Sequence, residues 1–325
     1  MKTLTLMQAI NEALLEEMER DPNSVYFGED VAAMSGAFGA TAGLLDRFGP
    51  DRVFDTPIAE ATIAGAALGM ALAGLTPITE FSFADFVGIA FDEIYNKLGK
   101  WNWMHGCCFK IPVTIRLPVG ALAGSGPEHS QSPQALFMHS QGLYVAVPSN
   151  ACDAKGLLKT AIRDPNPVLF FEHKLLYGMP GEVPEEEYTI PFGVADVKRE
   201  GSDVTIVATS MQVLTALNAA NMLAAEGIEA EVIDPRTLIP LDRKAILDSV
   251  RKTGRVVIVH EEPKTGGTGA ELAAIIAEEA FFDLAAPIKR VGSADTPIPQ
   301  SIFLEMEYKP NEEKVMAAVR EVMQY

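Results

Sequence analysis

Apolar positions open the chain at helical spacing. Leu6, Ile10, Ala13, Leu14 and Met18 recur every three or four residues, and Thr5 to Gln8 has the form of a capping box. That pattern predicts a helix from about Leu6. The period then shortens. Val25 to Phe27 reads as a strand leading to Gly28-Glu29-Asp30. After a glycine-rich stretch to Gly43, Arg52 to Pro57 reads as a strand that enters a helix at about Ala59. Thr76 to Phe81 and Val113 to Leu117 predict strands, with one long helix from Phe83 to Trp103 between them. A polar, glycine-rich loop runs from Gly120 to Ser132. A strand at Leu143 to Val147, a helix near Cys152 to Arg163 and a strand at Val168 to Glu172 finish this half.

Gly178 to Tyr188 is rich in Pro, Gly and acid, as a linker is. Beyond it the alternation restarts. Strands are predicted at Val204–Ala208, Glu229–Ile233, Arg255–Val259 and Ile288–Val291, with helices at Met211–Glu226, Asp242–Lys252 and Gly269–Ala280. Apolar strands alternating with helices indicate parallel sheets covered on both faces. The expected fold class is α/β: two doubly wound domains with mainly parallel sheets, residues 1–178 and 194–325, joined by a linker at 179–193. No repeat of fixed period occurs.

A length of 325 residues with 48% apolar content suits two such domains. Charge narrows the partners. Lys and Arg number 26 against 44 Asp and Glu, a net charge of −18, so phosphate backbones and anionic lipid surfaces are repelled. Neither nucleic acid nor a membrane is expected as a partner. Ala61 to Thr79 carries no charge and approaches a bilayer's span of about 20 residues. Yet Gly65, Gly69, Gly74 and Pro77 interrupt it, so it reads as a buried helix ending near Gly74 and a strand from Thr76. Cys107 and Cys108 are adjacent and Cys152 stands alone, with no zinc spacing. With no apolar signal core at the N-terminus, a reducing, cytoplasmic setting is expected.

Candidate chemistry is sparse. Gly266-Gly-Thr-Gly269 follows a strand and opens a helix, but Leu272 stands where the dinucleotide fingerprint needs its third glycine. Glycines for a tight turn explain it better. Glu60 starts an uncharged helix. It is either a first-turn carboxylate facing the helix dipole or a semi-buried one sharing a proton with a ligand nitrogen. His129 lies in Gly124-Ser-Gly-Pro-Glu-His129, a loop directly after a strand, where α/β sites form; an exposed loop histidine is the alternative. His260 ends a strand beside Glu261 and Glu262 without a partner motif. Phe81, Phe83 and Phe86 are compatible with a core.

At Asp55-Thr-Pro-Ile-Ala-Glu60, Glu80-Phe-Ser-Phe-Ala-Asp-Phe86, Glu128-His-Ser-Gln131 and Asp153-Ala-Lys-Gly156, the chain resembles a known family. It looks like the β subunit of the thiamine-diphosphate-dependent E1 component of 2-oxo acid dehydrogenase complexes, within the transketolase-like superfamily. The resemblance runs from Leu4 to near the C-terminus with motif order and spacing kept. Phe171 to Tyr177 and Gly181 to Pro191 look most like acetoin dehydrogenase β chains; pyruvate and branched-chain enzymes share most of the rest.

The resemblance implies a thiamine pyrimidine-binding domain followed by a transketolase C-terminal-like domain. It implies roles as well. Glu60 matches the carboxylate at N1′ of the aminopyrimidine, and Phe86 the aromatic that stacks on that ring. His129 matches a histidine of acid–base steps or acyl transfer to a lipoyl group, and Glu29 an acid in a proton path between paired sites. Relatives hold the diphosphate through Mg²⁺ with a Gly-Asp-Gly motif, which this sequence lacks. The implied assembly is therefore an α₂β₂ heterotetramer whose α subunit holds the metal, serving a lipoyl acyltransferase, E2. A potassium site built largely from backbone carbonyls maps onto Val113, Ala161, Ile162, Asp164 and Asn166. One departure stands out: Pro127 and Glu128 precede His129 where many relatives have small residues and Gln or Ala. Two readings from other classes are an α/β metabolite-binding protein without chemistry and an NAD-linked oxidoreductase. The incomplete glycine loop argues against the second.

Overall fold

The predicted capping box closes. Thr5 Oγ1 accepts from the Gln8 N–H at 3.2 Å, and the Gln8 side chain accepts from the Thr5 N–H at 2.9 Å. In the computed structural model, which describes residues 1–325, the elements run in chain order β1 (Lys2–Thr5), α1 (Leu6–Arg20), β2 (Ser24–Gly28), α2 (Leu44–Phe48), β3 (Val53–Asp55), α3 (Glu60–Leu72), β4 (Thr76–Glu80), α4 (Gly99–Met104), β5 (Thr114–Val119), α5 (Gln134–Met138), β6 (Tyr144–Ala146), α6 (Ala151–Arg163), β7 (Val168–His173) and β8 (Pro180–Val183). Then follow β9 (Asp196–Arg199), β10 (Val204–Ala208), α7 (Met211–Ala224), β11 (Ala230–Asp234), β12 (Thr237–Ile239), α8 (Arg243–Thr253), β13 (Val256–Pro263), α9 (Thr268–Glu279), β14 (Lys289–Ser293), α10 (Ile302–Tyr308) and α11 (Glu312–Val322). Two compact units result: Met1–Val119 with Leu136–Phe192, and Gly120–Ala135 with Gly193–Tyr325.

In the first unit the strands lie in the order β6-β7-β5-β4-β2-β3, and every pair is parallel. Helix α1 buries Leu6, Ala9, Ile10, Ala13, Leu14 and Met18, the face its periodicity foretold. In the second unit the order is β14-β13-β10-β11-β9, with only the β11–β9 pair antiparallel. One face of β10 packs Ile206 and Ala208 against Ala216 and Leu223 of α7 and Val319 of α11. The other packs Val207 against Ile246 of α8 and Ile276 of α9. Both sheets are doubly wound, because strands apolar on both faces need cover on both.

The first sheet carries charge in its interior. Arg116 of β5, fully buried, donates from Nε and Nη2 to both oxygens of Glu172 on β7 at 2.7 and 2.6 Å. Its Nη1 reaches Glu80 of β4 and, at 2.6 Å, the Tyr26 hydroxyl of β2. Tyr26 in turn donates to Glu80 at 2.7 Å, and Tyr177 to Glu172 at 2.8 Å. Burial alone would lower the Arg116 pKa, but Glu172, Tyr26 and Glu80 outweigh it and hold the guanidinium charged. Burial likewise pushes both tyrosines well above their ordinary range, so they remain donors.

Two expectations change. Phe83 to Trp103 is not one helix: a 3₁₀ turn at Ala84–Gly88 is followed by a helix from Phe91 that passes through a π-turn at Glu93–Leu98 into α4. Gly88 has no side chain to hold the first turn, and the π-turn inserts a residue without disturbing the apolar pattern. The stretch expected as a linker is not free chain, because β8 within it pairs antiparallel with β1. The uncharged Ala61–Thr79 segment divides, as expected, into a helix, most of α3, followed by a turn and a strand from Thr76, β4, and no helix is long and apolar enough to cross a membrane.

Replacing Arg116 with Met strands two buried carboxylates without a cation. Arg116→Met should lower unfolding free energy by roughly 3–5 kcal/mol, measured by urea denaturation of the full chain. A loss under about 1 kcal/mol would show that the clamp contributes nothing to the fold.

Candidate active site

In a parallel sheet, side chains just past the carboxyl ends of adjacent strands converge. Neighbours β3, β2 and β4 deliver Glu60, Glu29 and the Ser82–Phe86 segment respectively. Glu60 is the first residue of α3 and is 2% exposed; Ala59 before it offers no side-chain cap. The helix N-terminus is therefore left to the carboxylate. Both readings of Glu60 are compatible with that placement.

Glu29, 8% exposed, follows β2 directly. Burial raises its pKa first, and the nearby Glu60 charge raises it further. Hydrogen bonds from Ser82 and the Ala59 backbone pull the other way. Ser82 Oγ donates to Glu29 Oε2 at 3.3 Å, while Glu29 Oε1 is buried without a partner, as is Thr56 Oγ1 on the β3–α3 connection. The neighbouring carboxylates of Glu29 and Glu60, with Glu29 Oε1 and the Thr56 hydroxyl unpartnered, form a polar site that the chain itself leaves unfilled.

Phe86, half-buried in the 3₁₀ turn, meets Phe83 edge-on at 6.0 Å. Phe83 meets Phe38 at 5.7 Å, and Phe38 meets Tyr177 at 5.3 Å. The Lys174 ammonium lies 5.0 Å above the Phe83 ring. A continuous aromatic chain thus links Phe86 to the buried Arg116 cluster.

The structure groups the candidates unevenly. Glu29, Glu60 and Phe86 share the first unit, whereas His129, half-buried, belongs to the second with its whole loop. Ala161 and Ile162 end α6, Asp164 caps it, and Asp164 Oδ1 accepts from the Asn166 backbone and side chain at 2.8 and 2.9 Å. The Val168 N–H reaches the Val113 carbonyl at 2.8 Å, joining that residue to the same region. No cluster of three or more His, Cys, Asp or Glu side chains could hold a metal.

The glycine loop before α9 has a different purpose from nucleotide binding. His260 is fully buried, and Cβ atoms on Gly267 and Gly269 would lie 2.7 and 2.5 Å from its ring. The glycines make room for the imidazole, whose Nδ1 lies 3.1 Å from Glu262; Thr268 donates to the same carboxylate at 2.5 Å. The NAD-linked reading is not favoured. Sequence reasoning missed the Arg116 cluster, Thr56 and Ser82. Charged residues inside otherwise apolar strands, Glu80, Arg116 and Glu172, were the available signal.

Comparison with known proteins places this geometry. The model "Transketolase, pyrimidine binding domain" matches residues 2–180, and "Transketolase, C-terminal domain" matches 193–315. The 2-oxoisovalerate dehydrogenase subunit beta of Bacillus subtilis is 45% identical over 100% of both chains. The acetoin:2,6-dichlorophenolindophenol oxidoreductase subunit beta of the same organism is 45% identical over 99% of this chain and 98% of its own. The pyruvate dehydrogenase E1 component subunit beta of Rickettsia felis is 47% identical over 99% of each. The chain belongs to the E1 β-subunit family of transketolase-like proteins. A solved "Split gene transketolase, inactive beta4 tetramer" shares the fold with a TM-score of 0.82 and 30% identity, covering 99% of this chain and 98% of that one. The metabolite-binding reading without chemistry is not favoured by these relatives.

In this E1 β-type chain, ionised Glu29 costs stability. Its pKa is higher folded than unfolded, so its favourable contribution is complete at pH below the unfolded value and is lost as pH rises through the folded one. Glu29→Gln should therefore raise Tm at pH 7, by about 2 °C, and change it little at pH 4. Scanning calorimetry at both values checks this; a lower Tm at pH 7 would contradict it.

Proposed function

We propose that this chain is the β half of a thiamine-diphosphate-dependent E1 enzyme, completed by an α subunit and serving a lipoyl acyltransferase, E2. The observation that carries the reading is the buried Glu29–Glu60 pair beside unfilled polar atoms at the carboxyl ends of β2 and β3. When bound, the cofactor supplies a nucleophilic carbon that takes up the acyl unit of the substrate. Glu60 holds or shares the proton at a ring nitrogen; its burial keeps water from competing for that proton. Phe86 offers an aromatic face for the ring. Glu29, whose pKa is raised by burial and by the nearby Glu60 charge, exchanges protons with this site.

The sequence has no Gly-Asp-Gly motif, so we assign Mg²⁺ and the diphosphate to the α subunit and the assembly to an α₂β₂ heterotetramer. Oxygen donors at the end of α6, where the helix dipole favours cations, fit the alkali ion we assign to Val113, Ala161, Ile162, Asp164 and Asn166. His129 serves acid–base steps or acyl transfer. Relatives named for branched-chain, acetoin and pyruvate substrates match at 45, 45 and 47% identity, so the proposed substrate class is acetoin or a 2-oxo acid. None of the three cysteines forms a disulfide, which suits the reducing cytoplasm we assign.

Glu60→Gln is nearly isosteric but cannot take the ring proton. In the assembled α/β complex it should lower turnover by roughly 10²-fold or more while assembly and Tm persist. Steady-state assays with acetoin, pyruvate and a branched-chain 2-oxo acid make the measurement. Near-wild-type turnover in the variant complex would end the assignment.

A further inference from the structure

We propose that Glu261 and Glu305 are positioning residues that fix the loop carrying His129. The loop at 120–135 lies within the first half of the sequence but packs in the second unit. At its entry the Ala121 N–H donates to Glu261 Oε1 at 2.8 Å, and the Gly124 N–H donates to Glu305 Oε2 at 2.7 Å. Both carboxylates are buried, at 8% and 2% exposure. Bonds from backbone N–H to a buried carboxylate are charge-assisted and short, and loop amides hidden from water require such acceptors.

The remaining oxygens of both carboxylates have partners too. Gln212 Nε2 lies 3.1 Å from Glu261 Oε2, and the Lys309 ammonium 3.6 Å from Glu305 Oε1. Packing supports the same grip. Ala121 clusters with Ile298 and Tyr308, and a Cβ on Gly124, at φ +80°, would meet the Gln300 carbonyl at 2.5 Å. The buried residues of α10 are Glu305 and Tyr308, while Ile302, Phe303, Leu304 and Met306 are exposed. The inward side of α10 therefore faces this loop. Directly after the pinned stretch, the His129 N–H closes a turn on Gly126 at 3.4 Å. That turn couples His129 to the pinned stretch.

The catalytic consequence rests on reading His129 as the acid–base group; the pinning does not. The test uses the assembled α/β complex. Glu305→Ala should speed amide hydrogen exchange within 120–135 by roughly 10- to 100-fold, with α7 and α8 unaffected. It should lower kcat for acyl transfer to a lipoyl domain by a similar factor, with thiamine diphosphate affinity unchanged. Glu305→Gln keeps one acceptor and should restore both. Glu261→Gln should be mild as well, because Gln212 Oε1 is buried without a partner and can accept from the new amide if Gln212 flips. Glu305→Ala should cost nothing further in a His129→Ala background. Unchanged loop exchange in Glu305→Ala, or losses that multiply in the double variant, would overturn the proposal. Should His129→Ala turn over normally, the role of His129 fails separately, and exchange in the loop decides the pinning by itself.

Discussion

One buried guanidinium sets the constraints on the first sheet. Arg116 bridges Glu172 and Glu80, so three neighbouring parallel strands, β4, β5 and β7, share one charged cluster. Arg116 pairs in register with Phe170, and Glu172 lies two residues on, on the same face. A slip of one residue would turn its side chain to the other face and break the bidentate contact. With two carboxylates to one cation, the cluster depends on the hydroxyls of Tyr26 and Tyr177 to complete it. Through Tyr177 it reaches Phe38, Phe83 and Phe86. The ring proposed to face the cofactor is thus linked by packed aromatic rings to the buried charged cluster.

The candidate site follows from topology above that base. Because β3, β2 and β4 are adjacent and parallel, their ends bring Glu60, Glu29 and Ser82 together although they are far apart in sequence. Two carboxylates in a shared buried setting repel, which adds to burial in raising the Glu29 pKa. That is a costly arrangement for a fold and a useful one for proton exchange. The sequence has no Gly-Asp-Gly motif, and the diphosphate is the part of the cofactor we propose a second subunit holds.

Much of the fold was legible because it rests on local signals. The Thr5–Gln8 box, the α1 stripe and the apolar strands β2, β4, β5 and β10 were readable from spacing. Glu60 was readable as a carboxylate in an uncharged stretch, though only resemblance gave it a role. What stayed hidden depends on distant partners. The π-turn at Glu93–Leu98 leaves the apolar pattern intact, and β8 pairs with β1 across nearly the whole first unit. The allegiance of the His129 loop is set by bonds to Glu261 and Glu305, 140 and 181 positions along the chain. The glycines before α9 imitated a nucleotide loop because the His260 ring they accommodate is visible only in three dimensions.

That the chain supplies the proton-handling half of a site completed by another subunit is tested most directly by calorimetry. Thiamine diphosphate with Mg²⁺ would be titrated into the isolated chain and into the chain assembled with an E1 α subunit. Weak or undetectable binding to the chain alone and tight binding to the assembly is the expected result. Tight, Mg²⁺-dependent binding to the isolated chain would contradict it.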